Sequence, residues 1–189
     1  MDIETTDIEG LLIVRPKKFG DERGFFSEVF KQEALRAAGS DIVWTQDNHA
    51  FSAARGVLRG LHFQAPPFAQ AKLIRVVRGA IYDVAVDIRT GSPTYGRHVG
   101  LELSTDNWLQ LMVPAGFAHG YCTLTENTEV IYKVSAPYAP QCEGGLSWSD
   151  PALELRWPIA TRDVQANDRD MNWPHLRDLQ SPFVYEGRS

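Results

Sequence analysis

Apolar and polar residues alternate in short runs along most of the chain, and the runs are separated by Gly, Pro, Asn and Asp. Leu11 to Val14 opens the first strand and Pro16 closes it. After a turn at Phe19-Gly-Asp-Glu-Arg-Gly24, Phe25 to Phe30 reads as a strand with Phe26, Glu28 and Phe30 on one face. Gln32 to Ala38 predicts a short helix with Gly39 at its end, and Val43 to Asn48 another strand. The densest β pattern covers Leu73–Val77, Ile81–Ile88, Val99–Leu103, Trp108–Val113 and Glu129–Val134, with a compositional turn at Arg89-Thr-Gly-Ser-Pro93. On the last run Val130, Tyr132 and Val134 share a face, so two apolar partners turn Tyr132 inward. Asp83 and Asp87 alternate with Tyr82, Val84 and Val86, and fit either outward charges or inward carboxylates. After Pro151 the chain is rich in Trp and Pro, which predicts a wrapping segment with one short helix at most. Many short strands at even spacing predict an all-β fold, a sandwich or barrel.

Length and charge narrow the classes. The 189 residues fit a single domain, with a core over about 11–158 and a tail over 159–189. A formal charge of -5 gives no reason to expect nucleic acid. The acidic start Met1-Asp-Ile-Glu-Thr-Thr-Asp lacks a basic region followed by an apolar run, so no signal peptide is expected. No apolar stretch approaches the roughly 20 residues of a membrane helix. A cytoplasmic protein is expected, with Cys122 and Cys142 as buried or inert thiols rather than a disulfide.

Candidate chemistry gathers in two stretches. Five residues separate Gly56 from His62, Gln64 follows, six residues separate Lys72 from Gly79, and Pro114-Ala-Gly-Phe-Ala-His119 lies downstream. This spacing resembles the two motifs of cupin barrels, whose three His and one Glu hold a metal. Here Gln64 stands in place of the second His, and Lys72 replaces the Glu after a longer loop. A lysine ammonium repels a divalent cation, so no metal is expected. His62, Lys72, His119, Tyr132 and several arginines remain around one barrel mouth. His62 can act as a base, Tyr132 as a proton donor and Lys72 as a charge facing a developing oxyanion. Together they suit proton abstraction beside a carbonyl. His49, His98 and His175 are read as structural or solvated.

Asp21-Glu-Arg-Gly-Phe-Phe26, Gln46-Asp-Asn48, Leu58-Arg-Gly-Leu-His-Phe-Gln64, Asp83-Val-Ala-Val-Asp-Ile-Arg89, Pro114-Ala-Gly-Phe-Ala-His-Gly120 and Trp148-Ser-Asp-Pro151 stand in order along the chain. They closely resemble the dTDP-4-dehydrorhamnose 3,5-epimerase family, from about Leu11 to Asp168. The resemblance implies a metal-free, cofactor-independent cupin jelly roll, usually a two-fold dimer. The implied substrate is dTDP-4-dehydro-6-deoxy-D-glucose, inverted at sugar carbons 3 and 5 on the way to dTDP-L-rhamnose. A relative that inverts carbon 3 alone shares the motifs, and a non-catalytic sugar-nucleotide binder is a further alternative. Carried over, His62 resembles the base, Tyr132 the proton donor and Lys72 the contact to the keto oxygen. Arg23, Glu28, Gln46, Asn48, Arg59, His119 and Glu143 match nucleotide-sugar positions, with Asp47 inside the Gln46–Asn48 segment. Tyr138 matches the aromatic that stacks on thymine. The acidic partner of the base belongs to a tail motif S-x-[KR]-D. Read here as Gln165-Ala-Asn-Asp168, it makes Asp168 the partner, with Asp170 as competitor, and puts Asn167 where a basic binding residue is usual.

Overall fold

Among the described residues, 1–187 of a computed structural model, the chain forms thirteen strands. The last two residues of the expected tail, 188–189, lie outside them. Strands β1 (Asp2–Thr5), β2 (Leu12–Arg15), β3 (Lys18–Asp21) and β4 (Gly24–Ser27) precede helix α1 (Gln32–Ala37). Then come β5 (Gln46–Ser52), β6 (Leu58–Gln64), β7 (Lys72–Arg78), β8 (Ala80–Asp87) and β9 (His98–Ser104). β10 (Gln110–Val113), β11 (Phe117–Thr123), β12 (Thr128–Val134) and β13 (Glu143–Gly145) complete the set, and the tail carries one short α-helix, α2 (Asp168–Met171). One sheet runs β1-β2-β10-β7-β12-β5 and a second β13-β6-β11-β8-β9, while β3 and β4 form a separate hairpin. Every pairing between these strands is antiparallel. The architecture is the expected all-β jelly-roll sandwich.

Three apolar layers hold it. Between the sheets lie Ile74, Val76, Ile81, Ala85, Leu103, Leu111, Phe117 and Val130, contributed by both. The outer face of the β6-β11-β8 sheet buries Leu58, Leu61, Phe63, Val84, Val86 and Cys122 under Trp148 and Leu153 and under Ile159 and Phe183 of the tail. The outer face of the other sheet buries Leu12, Val14, Leu73 and Met112 against Leu35 of α1. With both faces covered, β11 is buried throughout and shows no alternation, so periodicity does not reveal it.

Several boundaries differ from the sequence reading. The Phe25–Phe30 strand stops at Ser27, leaving Glu28 outside it, and the Val43–Asn48 strand moves to Gln46–Ser52. Val43 is exposed, without the packing that would reward a strand.

A bulge in β6 shapes the site. His62 pairs across from His119 and Arg59 from Tyr121, so three steps along β6 match two along β11. In a regular strand Arg59 and His62 would face opposite ways; the extra residue puts both on the inner side, and Leu58, Leu61 and Phe63 on the outer. Gly60 sits at this point with φ +132°, and a Cβ there would lie 2.6 Å from the Gly120 Cα. Only glycine tolerates both that backbone and that approach.

Candidate active site

Within the sandwich lies a cavity of about 280 Å³ whose two walls come from different sheets. Arg59 and His62 of β6, His119 and Tyr121 of β11 and Glu143 of β13 line one wall; Lys72 and Ile74 of β7 and Tyr132 of β12 line the other. Asn167, Arg169 and Asp170 of the tail close its edge. A connected lobe extends to Gln46, Asn48, Gln70 and Tyr138.

His62 is held by an acid. Its Nε2 lies 2.6 Å from Asp170 Oδ1, and the other Asp170 oxygen accepts the Gly60 N–H at 3.2 Å. Burial opposes the charge of Asp170, but the bond and charge of His62 and the Gly60 N–H outweigh it, so its pKa lies below the usual carboxylate value. An ionised Asp170 keeps a proton on Nε2 and leaves Nδ1 with the lone pair a base needs.

The partner is therefore Asp170, and the choice of Asp168 is corrected. Asp168 is exposed in the first turn of α2, while Asp170, at 1% exposure, is buried against His62. The whole tail motif lies two residues later than the sequence reading placed it. Asn167 is the N-cap, accepting the Asp170 N–H at 2.8 Å, a task that Asn and Ser share. The basic position is Arg169, whose guanidinium bonds Glu143 and lies 3.9 Å from Asp170 Oδ1. The sequence signal for Arg169 was available in the capping rule. Asp170→Asn is expected to lower turnover about 10²-fold or more by releasing the imidazole from its tautomer. Asp168→Asn should stay within about twofold, since the change is confined to an exposed side chain. Steady-state kinetics on the two variants checks the register.

Lys72 lies in the opposite wall with its Nζ 3.4 Å from the His62 carbonyl oxygen. Burial pushes its pKa down to about 8, against the pull of the Asp83 and Glu143 charges. Burial also raises the pKa of Tyr132, although Arg59 opposes this, so the phenol holds its proton at neutral pH. His119 is buried and bonded through Nε2 to Asp83 Oδ1 at 2.7 Å. Burial lowers its pKa despite Asp83, with Lys72 and His62 lowering it further. Asp83 thus faces inward. Asp87, the other carboxylate of uncertain direction, is bound to Arg89, Ser92 and Thr94 in a structural turn.

Gln64, at the second-His position of the metal motif, is fixed by loops. Its amide donates to the Phe68 and Pro137 carbonyls at 2.8 and 3.1 Å and accepts the Ala139 N–H at 2.8 Å. Those bonds anchor the segment leading to Tyr138, whose hydroxyl donates to Glu143. Among the described residues no three His, Cys, Asp or Glu side chains converge as a metal-ligand set.

Of the other expected site residues, Gln46 and Asn48 face the cavity from alternate positions of β5, and Asp47 between them does not. It points to the outer face and bonds Lys133 Nζ at 2.8 Å. Arg23 and Glu28 are absent from the cavity as well. Both are exposed, at or just after the β3–β4 hairpin, where Arg23 bonds Asp21 and Phe19, Phe25 and Phe26 are exposed. Tyr121 and Arg169 line the cavity, and buried Asp83 holds His119 from behind it; the sequence reading did not select these three.

The family model described as dTDP-4-dehydrorhamnose 3,5-epimerase matches residues 5–178. The chain belongs to this family. A protein of that name from Sinorhizobium fredii is 49% identical over 185 residues, covering 98% of this chain and 94% of its own. Among solved structures, a dTDP-6-deoxy-D-glucose-3,5-epimerase from Legionella pneumophila in complex with dTDP-4-keto-L-rhamnose superposes with a TM-score of 0.93. It is 39% identical, with 98% of this chain and 99% of that one covered. A Bacillus anthracis family member with TDP and pyrophosphate bound gives a TM-score of 0.88 at 43% identity, with coverages of 92% and 98%. No helix among the described residues is long and apolar enough to cross a membrane.

Proposed function

We propose that this epimerase-family chain converts dTDP-4-dehydro-6-deoxy-D-glucose to dTDP-4-dehydro-L-rhamnose, inverting sugar carbons 3 and 5. The observation that carries the reading is the placement of base and acid. His62 stands on one sheet, backed by Asp170 of α2, and Tyr132 with Lys72 on the facing sheet, across one cavity. A keto group at carbon 4 acidifies the protons on both neighbouring carbons. His62 takes such a proton, and the electron pair moves into an enolate whose oxygen faces the Lys72 ammonium. Tyr132 then protonates the carbon from the opposite wall, which inverts the centre. The step moves protons alone and is redox-neutral.

The nucleotide end fits the cavity's rim. Arg59 and Arg169 supply guanidinium groups suited to a diphosphate, and Tyr138 offers a ring face for thymine. Arg169, now bonded to Glu143, takes the role assigned to Asn167. Gln46, Asn48, His119 and Glu143 complete the binding set. Arg23 and Glu28 enter through a second copy: in a cytoplasmic homodimer the hairpin with its exposed Phe19, Phe25 and Phe26 reaches the neighbour's cavity. Sedimentation should then return the mass of two chains.

Incubation with the 4-keto nucleotide sugar in deuterium oxide tests the activity. Label at carbons 3 and 5 is the expected result. Label at carbon 3 alone reduces the chain to a 3-epimerase, and no label leaves only a sugar-nucleotide binder.

A further inference from the structure

One flank of His62 is left open by its own sheet. Across from it, β11 presents His119 and β13 presents Gly145. Directly paired residues share a face, so the imidazole has a side chain beside it on one flank and none on the other. The tail fills the gap. The indole of Trp173, three residues beyond Asp170, stands where a side chain at position 145 would: a Cβ there would lie 2.2 Å from its Cδ2. From that slot the indole meets the His62 ring edge to face, with centroids 6.0 Å apart and planes at 77°. Aromatic pairs favour that separation and tilt. The buried indole N–H lies near enough to Asp170 to help hold the carboxylate ionised, yet completes no hydrogen bond. The segment is fastened just beyond the indole as well. The Ser147 N–H donates to the Pro174 carbonyl at 2.8 Å, and Asp150 accepts the Leu176 N–H at 2.6 Å.

A second contact matters because one hydrogen bond fixes one atom of a ring. The bond to Asp170 anchors Nε2, but the torsion that turns an imidazole about its Cβ–Cγ bond has broad wells. A tilt that keeps the bond still swings Nδ1 away from the carbon it must reach. A flat ring seated against the imidazole removes that freedom. Trp173 lines neither lobe of the cavity, so it has no share in holding a substrate. We propose that Trp173 is a positioning residue that sets the plane of the His62 imidazole for proton abstraction. Gly145 is the vacancy that admits it. The inference rests on the reading of His62 as the base and adds to it the surface that holds the base in line.

Two substitutions separate a plane from a filler. Trp173→Leu and Trp173→Phe both remove the N–H and both shrink the side chain, but only phenylalanine keeps a flat ring. Trp173→Leu should lower kcat about 10–10²-fold, with KM and dTDP affinity within about twofold, and slow deuterium exchange by a similar factor. Trp173→Phe should stay within about threefold of the wild type. Gly145→Ala, which drives a methyl group into the indole, should repeat the Trp173→Leu loss with Trp173 intact. NMR shifts of the His62 ring nitrogens in the free protein read the placement without substrate. One tautomer is expected in the wild type and Trp173→Phe, and a mixture in Trp173→Leu. Equal losses in the leucine and phenylalanine variants, or a fall in dTDP affinity matching that in kcat, overturn the proposal and make Trp173 a filler of the fold. So does wild-type kcat in Trp173→Leu or Gly145→Ala. A wild type without deuterium exchange overturns the proposed function, and the nitrogen shifts then decide the positioning: a tautomer indifferent to leucine overturns it too. An active wild type with an indifferent Trp173→Leu overturns the positioning alone.

Discussion

His62→Ala is expected to abolish deuterium wash-in and lower turnover about 10²–10⁴-fold, whereas Tyr132→Phe should still exchange label yet fail to invert. The contrast follows from the two walls. His62 stands with its Asp170 partner on one face of the substrate, and its ring is 22% exposed, so it can trade protons with solvent. With the phenol gone, the enolate can be protonated only from the side that lost the proton. Label then appears with retained configuration. Mass and NMR analysis of recovered sugar distinguishes the outcomes. Persistent wash-in by His62→Ala places the base elsewhere, and inversion at the normal rate by Tyr132→Phe removes Tyr132 as the acid.

The sequence made the two sides of this pairing legible to different degrees. Strands β7, β8 and β12 announce themselves because β-branched and aromatic residues fill them, and Tyr132 follows from its two inward neighbours on β12. Spacing and family motifs were enough to select His62 and Lys72. The environment of His62 was harder to read. Strand β11 has no alternation, since both its faces are covered, and β13 is a Glu followed by two glycines. The bulge at Gly60 reverses the face of Arg59, which period two alone assigns wrongly. The sequence reading takes Asp168 rather than Asp170 because it reads Asn167 as a lost cation instead of a helix cap; the α2 turn shows that Asn167 caps and Arg169 carries the charge. Arg23 and Glu28 lie outside this chain's own cavity, and nothing local in their sequence encodes that.

Lys72→Met should lower turnover about 10²–10³-fold with far less effect on nucleotide binding, because the ammonium matters most once negative charge has moved onto the oxygen. A loss confined to KM would instead place Lys72 in ground-state binding. Unfolding is not the expected cause. A lysine held below its ordinary pKa by burial costs the folded state stability, so a thioether there should melt no lower than the wild type. The pH profile gives an independent check. Lys72 is a cation below about 8 and neutral above, so kcat/KM of the wild type should fall as pH rises through that value. Stability moves the other way. Between about 8 and the ordinary lysine value of 10.5, the unfolded chain holds more protons than the folded one, so this group's contribution to stability rises with pH. Lys72→Met should lose both trends.

The layer of Ile74, Val76, Ala85, Leu111, Phe117 and Val130 between the two sheets has a meaning beyond cohesion. The proposed proton acceptor, His62, rides on one sheet and the proposed donor, Tyr132, on the other, so this apolar filling acts as a shim that fixes their separation. Packed interiors transmit small volume changes rather than absorbing them. A methyl group added at Ala85 would therefore move donor against acceptor without touching a polar residue. Stereochemical outcome, whether one centre is inverted or both, becomes adjustable from the core. Two proteins with identical catalytic side chains can differ in product through the thickness of what lies between their sheets.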